Sequence, residues 1–179
     1  MIQDKLLQDF LHDWIVGITN LPPYDVRPRW QAEPPNIPDA GNDWCSFGIM
    51  RRVVSGNALE YHYGTGGITG HGYDQIRRHE TLHCLASFYG DNADYYMTML
   101  REGMQVAQNR EVLSLNDMGL IGSDDSIVVP ELLKEQWLYR VDLTFSLVRQ
   151  IKLEYQVQNI DQAVIDIHNE QYIEHDLIG

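Results

Sequence analysis

A long run of alternating side chains constrains the fold of this chain more than any other feature. In QWLYRVDLTFSLVRQIKLEY, apolar residues recur at every second position from Trp137 to Leu147, with polar residues such as Arg140 and Asp142 between them. A period of two places the two sets on opposite faces of a β-strand. The pattern therefore predicts a long half-buried strand with one wet face.

Two other segments show the period of a helix. Across residues 2–19 apolar side chains recur every fourth position, which predicts a helix that ends before Pro22. A second helix is expected from a cap at Asp91 or Asn92 to about Gln108. Both helices have apolar residues along one face, and the wide stripe of the first is expected to pack in the core.

The rest of the chain supplies shorter strands. Residues 44–54 and 58–63 predict two strands around a turn at 55–57, and the glycine-rich stretch that follows predicts a hairpin tip. Residues 120–129 predict a short extended stretch that contains a turn at Gly122-Ser123. The fold class expected is α+β: one domain over residues 1–179, built from a mainly antiparallel sheet flanked by helices, with extended arms.

Two segments are expected to be arms. Residues 21–43 are rich in proline, which fixes φ and removes a backbone donor, so they predict extended chain. This arm carries Tyr24 and Trp30, which a plain spacer does not need, and it should lie against its own domain or a neighbouring subunit. Alternation is weaker from Val157 to Gly179, and residues 152–179 are predicted to form a C-terminal hairpin or arm.

Composition narrows the function classes. The chain has 179 residues and a formal net charge of -13, so it lacks the basic surface that grips a phosphate backbone. No apolar run is long enough to cross a bilayer, and no phosphate-loop motif is present. A nucleotide- or nucleic-acid-binding module is therefore the weakest reading. Cys45 and Cys84 are expected to be reduced core residues.

The segment RRHETLHCLASFYG contains the H-E-x-x-H pattern of zinc peptidases. In that reading His79 and His83 bind zinc and Glu80 is the general base. The chemistry requires a helix, where residues four apart are about 5–6 Å from each other. On a strand they are roughly 13 Å apart, at about 3.3 Å per residue, too far to share one ion. Periodicity alone fits either structure.

Several segments together resemble a known family. They are VRPRWQAEPPNIP, DWCSFGI, RRHETLHCLASFYGDNAD, GMQVAQNREVL and MGLIGSDDSIVVPELLKEQWLYRVDLTFSLVRQI. In order and spacing these resemble the phage neck terminator family, related to the tail terminators of tailed bacteriophages. The resemblance covers about Phe10 to about Ile160, and its most specific parts are the RPRW and QNR segments. A histidine at His83 departs from the family pattern.

The resemblance implies a structural virion protein without catalysis, metal or cofactor. Family members resemble ring-forming subunits, usually hexameric, placed between the head connector and the tail or capping the tail tube. Its partners would be further copies of itself, a tail or tail-tube protein and the connector, with DNA passing through the lumen without specific binding. It would be assembled in the host cytoplasm and would not contact a membrane. The stretch around His79 would then belong to a strand.

Six residues are candidates for contacts with subunits or partners. They are Tyr24, Arg27, Arg29, Trp30, Asn109 and Arg110. Arg27, Arg29 and Trp30 are expected to fix the arm, since aromatic and arginine side chains are frequent anchors at interfaces. Asn109 and Arg110 are expected to position the end of a helix. The zinc peptidase remains the alternative function.

Overall fold

Three helices and eight strands are found within residues 2–31, 38–39, 41–64, 71–133 and 136–158, which the computed structural model describes. In chain order they are α1 (Ile2–Thr19), β1 (Val26–Pro28), β2 (Trp44–Gly64), β3 (His71–Tyr89), α2 (Ala93–Gly103), α3 (Ala107–Ser114), β4 (Met118–Ser123), β5 (Ile127–Val128), β6 (Glu131–Leu133), β7 (Gln136–Leu138) and β8 (Arg140–Gln158). The α+β class predicted from the sequence is confirmed.

The main sheet has the strand order β1-β2-β3-β8-β4, and β5 also pairs with β8. β1 runs parallel to β2, whereas β4 and β5 run antiparallel to β8. The side-chain contacts Glu80–Arg149 and His83–Ser146 keep one register, which makes β3 and β8 antiparallel as well. β6 and β7 form a separate two-stranded ribbon.

The core lies between α1 and one face of this sheet. On α1 the buried side chains keep helical spacing: Leu7, Leu11, Trp14, Ile15 and Ile18. On β8 every second side chain is buried: Val141, Leu143, Phe145 and Leu147. The Trp14 and Phe145 rings meet with centroids 6.1 Å apart. The helical stripe of α1 therefore covers the alternating face that the sequence predicts, and the first helix has its predicted bounds.

The single helix predicted from Asp91 or Asn92 to about Gln108 is wrong, because two helices occupy this region. α2 ends at Gly103, and α3 begins at Ala107. A Cβ on Gly103 would lie 2.3 Å from Cγ2 of Ile18, so glycine allows α2 to approach α1 closely at this corner. Glycine also has a low helix propensity, so the residue that permits this close contact is also the residue at which α2 ends.

The strand predictions need two corrections. Residues 44–54 and 58–63, predicted to be two strands, are parts of the single strand β2. Gly56, within the predicted turn, has a positive φ of 63°, but the chain does not reverse direction there. The turn predicted at Gly122-Ser123 is also absent, since both residues lie within β4. The pairing of β4 with β8 shifts register between Leu120 and Gly122, so this glycine marks a bulge. The hairpin tip predicted after β2 lies outside the described residues.

The chain divides into two compact units, Met1–Leu59 with Arg77–Lys152, and Glu60–Ile76 with Leu153–Gly179. The first contains the helices and the core described above. In the second, the rings of Tyr63 and Tyr73 stack at 4.8 Å, and His62 Nδ1 lies 2.6 Å from Asp74 Oδ1. β8 continues to Gln158, so the first residues of the predicted C-terminal arm are strand, and the remainder of that arm lies outside the described residues.

Candidate interface site on the docked arm

The first part of the proline-rich arm is docked on its own domain. Val26–Pro28 pairs in parallel with residues 45–47 of β2. Beyond β1, the backbone N–H of Arg29 donates to the Phe47 carbonyl at 2.7 Å, and Arg27 Nε donates to the Tyr24 carbonyl at 2.9 Å. Because proline has no backbone N–H, this segment has few backbone donors, and these hydrogen bonds hold the arm on the domain at its non-proline residues. Residues 32–37 and 40 of the arm lie outside the described residues.

Arg27 begins a stack of cations and aromatic rings that crosses four neighbouring strands, β1, β2, β3 and β8. Its guanidinium carbon lies 5.8 Å from the centre of the Trp44 ring. Trp44 stacks on Tyr89, with centroids 4.1 Å apart and planes at 4°. Arg140 lies at the other end of the stack, with its guanidinium carbon 5.8 Å from the centre of the Tyr89 ring. Each contact of this kind is worth about 0.5–1.5 kcal/mol, so the stack holds the arm firmly on the sheet.

Arg140 is itself held by acids. Its Nε and Nη2 donate to the two carboxylate oxygens of Asp142, both at 2.7 Å, and its Nη1 donates to Glu131 at 3.0 Å. The hydrogen bonds to Asp142 are the largest cause of a raised Arg140 pKa. Burial raises the pKa of the Tyr89 hydroxyl, opposed by the neighbouring Arg140 charge. Arg140 is therefore a fixed cation, and Tyr89 stays neutral at physiological pH.

Arg29 and Trp30 cover the same sheet face one step further along the arm. Arg29 Nη2 donates to the hydroxyl of Ser87, a fully buried residue of β3. The Trp30 ring lies directly over Gly48, where an added Cβ would be 2.7 Å from Trp30 Cζ3. Because Gly48 has no side chain, the indole ring of Trp30 can pack directly against the backbone of β2. Trp30 remains 56% exposed and Tyr24 73% exposed, so both still present large apolar surface to a partner.

The structure separates Asn109 and Arg110 from the arm residues. Asn109 holds the corner between α2 and α3: its Nδ2 donates to the Gly103 carbonyl at 2.8 Å, and its own carbonyl accepts from Trp14 Nε1 at 3.0 Å. Both of these hydrogen bonds are made within the chain. Arg110 is exposed on α3 and borders a shallow surface cavity with Glu111. Four of the six candidates therefore come together on the arm, and two lie on the helical layer.

The peptidase-like motif lies on β3, so the prediction that this segment is a strand is confirmed. His79 is exposed, and His83 Nδ1 lies 3.0 Å from the Ser146 hydroxyl. Glu80 is 4% exposed and accepts from Arg149 Nε at 2.5 Å, with Arg52 Nη1 at 3.9 Å. Two guanidinium groups thus hold the carboxylate that a peptidase would use as its base. Among the residues described, no three His, Cys, Asp or Glu side chains are grouped to hold a metal.

The family model of a phage neck terminator protein matches residues 5–171 of this chain. The match covers nearly the whole chain. This chain belongs to the phage neck terminator family. No curated protein matches it. Membership supports a structural role at the head–tail junction of a bacteriophage virion, with other head and tail proteins as partners. None of the helices in the described part of this family member has the length and hydropathy of a membrane span.

This neck terminator also has an exposed apolar surface that the hydrophobic periodicity of the sequence does not predict. In the β6–β7 ribbon, Leu132 pairs directly with Trp137, and the two side chains are 58% and 71% exposed. Alternation assigns Trp137 to the buried face of the long strand, but the strand is interrupted at Tyr139 and the ribbon leaves the main sheet. The two residues between β6 and β7, Lys134 and Glu135, are not of the types that favour turns, so the sequence gives no clear signal for this ribbon.

Proposed function

We propose that this chain is the repeating subunit of a ring, a homohexamer, that joins the head connector to the tail and surrounds the DNA passage without binding DNA specifically. The observation that carries the proposal is the match to the neck terminator family over residues 5–171. A head–tail junction is built around an axis, so a small subunit at that place has to repeat around it. Heterologous contacts between identical subunits close into such rings.

Two features of the surface support a role in assembly. The arm is docked by hydrogen bonds and stacked rings, yet Trp30 and Tyr24 remain largely exposed. A rigid, exposed aromatic side chain is a good interface anchor, because little conformational entropy is lost when a partner covers it. The net charge of -13 also gives the ring a low affinity for a polyanion, which suits DNA that has to pass through.

Light scattering after size exclusion, with negative-stain images, tests the proposal. The expected result is rings of about six copies, formed alone or on addition of tail-tube or connector protein. Trp30→Ala should weaken assembly, whereas Tyr95→Ala, which removes an equally exposed ring from α2, should not. Circular dichroism checks that both variants are folded. A chain that stays monomeric with these partners and is missing from virions would refute the proposal.

A further inference from the structure

Among the described strands, the main sheet has an unpaired edge on each of its two sides. β1 covers only residues 45–47 of β2, and from Ile49 to Leu59 no other described strand pairs with that side. On the opposite side, β4 and β5 pair with β8 and with no further described strand. We name residues 49–59 the β2 edge and residues 118–128 the β4–β5 edge. Both present backbone N–H and C=O groups that a further strand can satisfy.

Each edge also exposes large apolar side chains. All of them are exposed by half or more: Met50, Val54 and Leu59 on the β2 edge, and Ile121, Ile127 and Val128 on the β4–β5 edge. Apolar residues along an open strand favour pairing with another chain, because pairing buries them together with the free backbone groups. Both edges therefore suit a contact between chains.

The two edges carry charges of opposite sign. Arg51 is exposed on the β2 edge, and Asp124 and Asp125 are exposed on the β4–β5 edge. None of these three side chains forms an ion pair with another residue in the described part of the chain. Two β2 edges would bring arginine against arginine, and two β4–β5 edges would bring acids together. Unlike edges attract and like edges repel, which favours a head-to-tail contact between copies.

The directions of the strands make a junction between unlike edges antiparallel. β2 and β3 are antiparallel, because Trp44 at the start of β2 stacks on Tyr89 at the end of β3, whereas Arg52, further along β2, lies near Glu80. β3, β8 and β4 continue the alternation, so β4 runs opposite to β2. Around an axis roughly parallel to the strands, β4 of one copy and β2 of the next therefore meet as an antiparallel pair, the more frequent kind in sheets.

The spacing of residues within the two edges agrees with such a pairing. Val54 follows Arg51 by three positions, and Asp124 follows Ile121 by three positions. An antiparallel pairing that brings Arg51 to the two aspartates therefore also brings Val54 to Ile121. The ionic contact and the apolar contact form together in one alignment of the strands.

We propose that the β4–β5 edge of one copy pairs with the β2 edge of the next, so that the main sheet continues from subunit to subunit. The proposal rests on the ring proposed above and identifies the surfaces that join its subunits. Each copy then uses both of its edges, and head-to-tail contacts of this kind close into a ring. The proline-rich arm is a poor strand for the β2 edge, since Pro34, Pro35 and Pro38 lack the backbone donor that a ladder needs.

An exchange of charges tests the contact. Arg51→Glu alone, or Asp124→Lys with Asp125→Lys, should raise the concentration needed for assembly about tenfold in light scattering. Mixing the two variants should restore assembly, because each junction again joins an acid to a base, and so should all three substitutions in one chain. Lys5→Glu is the matched control, since it makes the same change of charge at an exposed position on α1 and should assemble normally. Circular dichroism checks that every variant is folded.

Hydrogen exchange tests whether the backbones pair. Amides of residues 49–59 and 118–128 should exchange more slowly in assembled rings than in the monomeric Arg51→Glu variant. Unchanged exchange at both edges would overturn the proposal.

The pattern of assembly separates this proposal from the proposed function. A loss of assembly in Arg51→Glu that the aspartate substitutions neither reproduce nor rescue would mean that another segment occupies the β2 edge, and the proposal would be wrong. Rings that form equally well from all variants would also overturn it, while leaving the proposed function standing. An unmodified chain that never forms rings with tail or connector protein would refute the proposed function itself, and this proposal with it.

Discussion

Glu80 shows how the surroundings of one residue decide the meaning of a motif. In the sequence it is the central acid of a peptidase-like pattern, with His79 and His83 on either side. In the structure it is buried at the end of the core face, where Arg149 and Arg52 compensate its charge. Burying this carboxylate is tolerable only because of those partners.

Glu80→Gln is therefore expected to cost stability. The neutral amide leaves the partly buried Arg149 guanidinium without its counter-charge, which should lower the free energy of unfolding by about 3 kcal/mol. Urea titration followed by circular dichroism measures the loss. His79→Gln serves as the control, since His79 is exposed and should change stability by less than about 0.5 kcal/mol. Equal midpoints for the two variants would show that the ion pair contributes little.

The two cysteines give a second test at the same scale. Burial raises the pKa of Cys84 to about 12 and also raises that of Cys45. Both thiols should be protonated at neutral pH and hidden from solvent, since the thiolate is the reactive form. Ellman's reagent should therefore label neither in the folded protein within the time that labels both in denaturant. Rapid labelling of one thiol under native conditions would contradict the buried placement of that cysteine.

At the scale of helices and strands, periodic patterns are reliable and glycine signals are ambiguous. α1 could be predicted to its last residue because its buried face keeps one spacing throughout. Gly56 and Gly122 suggested turns, yet both lie inside strands, one with positive φ and one next to a bulge. Glycine permits a turn without requiring one, and pairing with the neighbouring strand decides the outcome.

Two helical glycines should respond in opposite directions to alanine. Gly17 on α1 has open space around its Cα, so Gly17→Ala should stabilise the protein by about 0.5–1 kcal/mol through helix propensity. Gly103→Ala should destabilise it by about 1–3 kcal/mol, because the new methyl group would meet Ile18 at 2.3 Å. Thermal unfolding of the two variants beside the unmodified chain measures both effects. If the Gly103→Ala variant unfolded at a higher temperature than the unmodified chain, α1 and α2 would be able to move apart without a loss of stability.

At the scale of the whole molecule, the candidate site could be predicted only in part. Proline content and aromatic residues identified the arm, and the sheet holds Arg27, Arg29 and Trp30 together on one side. The partners of these residues on distant parts of the chain, Tyr89 and Arg140, could not be inferred, because they meet only after β3 and β8 pair. Long-range contacts of this kind leave no periodic trace in the sequence.

The β6–β7 ribbon provides a prediction for assembly as a whole. Leu132→Ala with Trp137→Ala should leave the unfolding midpoint nearly unchanged, because both side chains are already largely exposed. If the ribbon contacts a neighbouring subunit or tail protein, the double variant should be incorporated into virions several-fold less well, as expected for loss of an aromatic anchor. Leu115→Ala, which removes an isolated apolar residue that is 81% exposed, is the control. Normal incorporation of the ribbon variant would assign those side chains no role in binding.

The shortness of β1 has a consequence for the protein before it assembles. β1 covers only Cys45–Phe47 of β2, and from Ile49 to Leu59 no other described strand hydrogen-bonds to that side. Exposed backbone of this kind recruits strands from any nearby chain, which is the first step toward fibrils during overproduction. Arg51 and Arg52 place adjacent positive charges in the middle of the stretch, and like charges on two approaching chains would repel. These two arginines should therefore act as gatekeepers that keep newly made protein soluble until it reaches its place in the particle.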